Sequence, residues 1–75
     1  MKKDSMIYMV QLGENSEGVY DTALHATREG AEAKARAWIE ASSFEWEEVT
    51  PYGGRVAMWC GGCDYIQIFT QKIEG

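Results

Sequence analysis

Apolar and polar positions alternate with period two at both ends of the chain and with a helical period in between. In SMIYMVQL, residues 5–12, Met6, Tyr8, Val10 and Leu12 share one face, and Ile7 and Met9 the other. Successive strand side chains point to opposite faces, so a strand apolar on both sides near its middle is expected at the centre of a sheet. GENSEG, residues 13–18, is a cluster of turn formers. VYDTALHA, residues 19–26, alternates again and predicts a second strand antiparallel to the first, with Tyr20 and Leu24 marking its inward face.

The period changes at Thr27. TREGAEAKARAWIEASS predicts a helix over residues 28–41, capped by the Thr27 hydroxyl, which can accept from an orphan N–H of the first turn. Five alanines favour the helix. Ala31, Ala35, Trp38, Ile39 and Ser42 fall on one face, while Glu32, Arg36 and Glu40 form a solvated i, i+4 ladder. Such a helix must lie on a sheet, anchored by Trp38 and Ile39. FEWEEVT, residues 44–50, predicts a short edge strand whose carboxylates discourage edge pairing. PYGG is a turn by composition. RVAMWC and CDYIQIFTQKI read as two strands joined at Gly61 and Gly62, with Ile66 and Ile68 on one face of the last and Tyr65 and Phe69 on the other. The order is β-β-α-β-β-β, an α+β domain over residues 1–75 with one helix packed on an antiparallel sheet.

Composition narrows the partners. The 75 residues carry a formal charge of −5, with twelve acidic and seven basic side chains. Nucleic-acid binding needs clustered Lys and Arg, and here they are scattered, so no direct nucleic-acid contact is expected. An acidic domain suits a basic protein surface, or solubility alone. The chain opens with two lysines, but Asp4 follows them and the apolar run after it is only about seven residues and broken by Gln11, so no secretion signal is expected. No stretch approaches the roughly 20 apolar residues of a membrane helix. The expectation is a cytoplasmic protein with reduced cysteines.

WCGGC, residues 59–63, looks like a thioredoxin active site only in isolation. There the first cysteine begins a helix, whose N–H groups lower its pKa. Here β-branched and aromatic alternation follows, which reads as strand. Gly-Gly between alternating segments is instead a hairpin signal, with Cys60 and Cys63 expected as a directly opposed pair flanking the turn. Such a pair lies within disulfide range. A metal is the alternative for Cys60 and Cys63. A structural zinc takes four ligands, and a monomer offers two cysteines and His25, so it closes a site only with a carboxylate added, whereas a symmetric homodimer could offer four cysteines. Glu45 and Glu47 share a strand face with no apolar pocket to raise a carboxylate pKa, and no phosphate loop or nucleophile elbow occurs. No cofactor is expected and the chain is read as a non-enzyme.

A single helix covers one face of a sheet, which leaves aromatics to explain. Either they fit in the core, or they line a homodimer interface, or they meet another protein. The candidate partner-binding residues are Glu45, Trp46, Glu47, Glu48, Tyr52 and Trp59. At VYDTALHATREGAEAKARAWIEA, residues 19–41, the chain resembles the compact β-β-α-β proteins of unknown function of phages and bacteria, in which a strand leads through a Thr or Ser cap into an Ala/Glu-rich helix. The resemblance covers roughly a third of the chain, and the hairpin around WCGGC departs from it. Such phage-type proteins include small acidic inhibitors of bacterial defence systems, anti-CRISPR proteins among them, which act without catalysis by occupying a basic or nucleic-acid-binding surface. The resemblance implies that role here and carries over no individual residue.

Overall fold

The elements follow the expected order in a computed structural model, which describes residues 5–43 and 45–73. They are β1 (Ser5–Glu14), β2 (Gly18–His25), α1 (Arg28–Ala41), β3 (Glu47–Val49), β4 (Arg55–Gly61) and β5 (Asp64–Ile73). The strands make one sheet of spatial order β2-β1-β5-β4-β3, with every neighbouring pair antiparallel. The fold is α+β, one helix on an antiparallel sheet. β1 has partners on both sides, as its two-sided apolar middle predicts. The seam between β1 and β5 is the longest pairing, running from Ser5 opposite Ile73 to Glu14 opposite Asp64.

The helix occupies the residues its period predicts. The Gly30 N–H donates to Thr27 Oγ1 at 3.0 Å, which satisfies one orphan donor of the first turn. Ala31 and Ala35 are buried, with Trp38 and Ile39 half-buried beside them. These small residues bring α1 close down over β1, β2 and β5. On its outer side Arg28 pairs with Glu32 at 2.8 Å, and the Lys34 ammonium stands 5.2 Å from the Trp38 ring centre.

Residues opposite one another in an antiparallel ladder share a face, so register assigns sides. Tyr8, Val10 and Leu12 of β1, Ile66 and Ile68 of β5, and Ala57 and Trp59 of β4 all face the helix side. Val10, Ala57, Trp59, Ile66 and Ile68 close the core with Ala31 and Ala35. The expected inward face of β2 is corrected. Tyr20 and Leu24 are 58% and 61% exposed, and Ala23 and His25 face the helix instead. The room between elements decides this. A helix seated on alanines leaves space above β2 for a methyl group and an imidazole. His25 lies against Gly30, where a Cβ would come within 3.1 Å of its Nδ1.

Two bulges redirect side chains. On β4, Arg55 pairs with Phe69 and Ala57 with Ile68, which leaves Val56 extra. In a regular strand, with Val56 paired in turn, Arg55 would stay in phase with Ala57 and Trp59, on the helix side. The bulge turns it to the opposite, helix-free face. On β2 the pairing steps from Asp21 to Val19, which leaves Tyr20 without a partner on β1. β3 is the expected short edge strand, but it begins at Glu47. Phe44, expected at its start, lies outside the described residues.

Candidate interaction surface

The β4–β5 hairpin closes with Gly61 opposite Asp64, so its two turn residues are Gly62 and Cys63. Gly62 has a φ of 60° and Cys63 no positive φ, the pattern of a II′ turn with glycine first. The expected opposition of Cys60 and Cys63 is therefore corrected: Cys60 faces Tyr65, and Cys63 sits exposed in the turn itself. Both are free thiols. The physical reason lies in Gly61, which is needed elsewhere. It is buried in the strand beneath the Trp46 indole, and a Cβ there would stand 2.5 Å from Trp46 Cδ2. One glycine permits close approach and the next permits the turn.

Trp46 is thus a packing residue. Its Nε1–H donates to Ser42 Oγ at 2.6 Å, and the Ser42 hydroxyl donates to the Ile39 carbonyl at 2.7 Å. The indole ties the C-terminal end of α1 to the β4–β5 tip. Trp59 is 6% exposed in the core. Of the six residues expected to form a binding surface, Trp59 leaves it and Trp46 is half-buried. Glu45, Glu47 and Glu48 are exposed, and Tyr52 is 63% exposed. Within β3 the carboxylates diverge, because Glu47 is opposite Cys60 on the helix-free face and Glu48 opposite Trp59 on the helix side. Tyr52 belongs to another cluster: its ring stacks on the Arg55 guanidinium at 4.7 Å.

The register gathers more carboxylates than the sequence order suggests. Glu47 lies at the level of the β4–β5 tip, where Asp64 stands opposite Glu14 of β1. Glu17 lies in the adjoining β1–β2 turn, and the Asn15 N–H donates to the Cys63 carbonyl at 2.8 Å, which joins the two tips. One end of the sheet therefore carries Glu14, Glu47 and Asp64 across about 14 Å, three strand spacings, with Glu17 in the turn beyond, Glu14 and Asp64 lying on the helix side and Glu47 on the helix-free face. Arg55 and Lys72 lie toward the opposite end. The effect is felt at Tyr20. Its phenol is held above the ordinary value, first by partial desolvation and then by the carboxylates of Asp64, Glu14 and Asp21. These meetings were not visible in the sequence, since Glu14 and Asp64 are brought together only by the β1–β5 seam.

The helix-free face holds a polar line across three strands. Arg55 Nε donates to Gln67 Oε1 at 2.7 Å, and Gln67 Nε2 donates to Gln11 Oε1 at 2.8 Å. The guanidinium lies between the rings of Tyr52 and Phe69, at 4.7 and 5.1 Å, and Nη1 donates to the Tyr52 carbonyl at 2.9 Å. Long side chains laid flat in this way bury Gln67 to 6% exposure on a face that no helix covers. On the same face the Tyr65 ring covers Gly13, where a Cβ would stand 2.5 Å from the phenol oxygen.

Among the described residues no three of His, Cys, Asp or Glu are grouped to hold a metal ion, and no helix is long and apolar enough to cross a membrane. No protein-family model, no curated protein and no solved structure matches the chain.

Proposed function

We propose that the chain is a non-enzymatic protein-binding module that docks on a basic surface of another protein. The row of carboxylates at one end of the sheet carries this reading. Charges of one sign gathered at one end steer an oppositely charged surface and set the orientation of encounter. Glu45, Glu47 and Glu48 form the edge of that surface, extended by Glu14, Glu17 and Asp64, while Trp46 and Trp59 hold the edge in place from behind. The resemblance of residues 19–41 to small phage and bacterial proteins suggests the biological setting: a phage or mobile-element inhibitor of a host defence protein, acting in the cytoplasm. The role needs no cofactor and no reacting group.

The test separates position from net charge. Glu47→Gln with Glu48→Gln removes two charges from the acidic end, and Glu29→Gln with Glu40→Gln removes two from the helix. The expected result is that capture of a basic partner from host extract falls at least tenfold for the first pair and stays near wild type for the second. It should also weaken as salt is raised from 0.05 to 0.5 M, roughly, because screening shortens with ionic strength. Equal loss from both pairs, or salt-insensitive capture, would sink the reading.

A further inference from the structure

We infer that the β4–β5 tip is a thiol–disulfide switch whose closure unseats Trp46. The sequence Gly61-Gly62-Cys63 contains two overlapping two-residue turns. The one observed uses Gly62 and Cys63. The other would use Gly61 and Gly62, where glycine takes positive φ without steric cost, and with Trp59 kept opposite Ile66 it would bulge Asp64 and Tyr65 out of the ladder. The two turns place the thiols differently. In the observed register Cys60 faces Tyr65, so Cys63 is its diagonal neighbour, at about 7–8 Å. A disulfide asks for Cα atoms within about 4.4–6.8 Å. In the other register Cys60 and Cys63 are directly opposed, at about 4.5–5.5 Å.

The two arrangements make incompatible demands on Gly61. Now it is a buried strand residue opposite Asp64, and the Trp46 indole rests on it. In the disulfide form it becomes a turn residue and its pairing with Asp64 is lost. The Cys60–Tyr65 pairing and the Asn15 N–H bond to the Cys63 carbonyl are lost or rebuilt with it. The flat strand surface beneath the indole disappears, and with it the position from which Nε1 reaches Ser42. The switch thus couples the redox state of two thiols to the anchoring of the segment between α1 and β3.

The chemistry is thiol–disulfide exchange with a small-molecule disulfide. The exposed Cys63 attacks first as its thiolate. A bond forms between Cys63 Sγ and one sulfur of the small disulfide, and the other sulfur leaves as a thiolate. The Cys60 thiolate then attacks Cys63 Sγ and expels the second small thiol. Two electrons pass from the protein to the small disulfide, and the two protein thiol protons end on the two released thiols. Transient disulfides of this kind are compatible with a reducing compartment, where structural ones are not.

The experiment treats reduced full-length protein with oxidised glutathione, then removes it. It follows intact mass together with the indole N–H signals of the three tryptophans, the Trp46 signal being assigned by its loss in Trp46→Phe. The expected product has lost two hydrogens and shows a displaced Trp46 signal, with the change reversed by dithiothreitol. Cys60→Ser and Cys63→Ser each abolish both effects. An intramolecular disulfide with the Trp46 signal unmoved would overturn the switch. So would a product limited to glutathione adducts or Cys63-linked dimers. Neither outcome touches the acidic-end reading, which is tested with carboxylate variants and does not depend on the thiols.

Discussion

Gly61→Ala should destabilise the protein although alanine is the better residue for an ordinary strand. The added Cβ would stand 2.5 Å from Trp46 Cδ2, 2.8 Å from Cε2 and 2.9 Å from Cε3. Carbon atoms pack at about 3.5–4.0 Å, so the ring must lift by roughly 1 Å. The Nε1–Ser42 hydrogen bond, now 2.6 Å, would then lie beyond hydrogen-bonding distance. Its loss costs about 1 kcal/mol, and overpacking adds about 1–3 kcal/mol. Relief of glycine's unfolded-state entropy returns about 0.5–1 kcal/mol. The net loss is about 1–3 kcal/mol, against a total of about 4–11 kcal/mol for a chain of this length. Urea unfolding followed by far-ultraviolet circular dichroism reads this without depending on tryptophan emission. The sharper measurement repeats Gly61→Ala in a Trp46→Leu background. With the indole gone the same methyl should be neutral or stabilising by about 0.5–1 kcal/mol. An equal penalty in both backgrounds, or none in the wild type, would refute the account of Gly61 as the seat of the indole.

Other consequences follow from the helix-free face and the acidic end. Arg55→Lys should cost about 1–3 kcal/mol, because a lysine cannot both stack between Tyr52 and Phe69 and donate sideways to Gln67, whose buried Oε1 is left unpaired; a thermal melt that matches wild type would refute this. The Tyr20 phenol should ionise above the ordinary phenol value, with the shift shrinking in high salt and in Asp64→Asn. Because the folded protein holds this proton more tightly than the unfolded chain, its contribution to stability is complete below the ordinary phenol value and is lost as pH rises through the folded one. Absorbance at 295 nm, with Tyr20→Phe subtracted, reads the ionisation, and a titration indifferent to both salt and Asp64 would contradict the carboxylate influence.

The helix was legible almost to the residue because three signals agree there: the Thr27 cap, the alanines and the apolar stripe through Trp38 and Ile39. The strands were legible as elements but not always as faces. On β2 the larger apolar residues, Tyr20 and Leu24, face solvent, since the helix above leaves room only for Ala23 and His25. Hydrophobicity ranks side chains by transfer from water and does not know how close the opposing layer stands. In the hairpin, composition located the turn but not its register, because two adjacent glycines serve unlike purposes. A phase argument could have found it: Gly61 continues the inward alternation of Ala57 and Trp59. The carboxylates of β3 were foreseen as exposed, whereas their company with Glu14 and Asp64 depends on a seam between distant strands that local patterns do not encode.

That seam also sets an order in time. β1 is paired along its whole length with β5, which follows every other strand of the sheet in chain order. As the chain leaves a ribosome, the β1–β2 hairpin and α1 emerge first, and Ile66 and Ile68, which fill the space beneath the helix, emerge only after all of them. Until then Val10 and Trp59 have no completed core to enter. Closing the seam brings together residues from Ser5 to Ile73, and such long-range closure slows folding. A nascent chain stalled before β5 would expose an unfinished sheet edge and Trp59, a form suited to chaperone capture or aggregation.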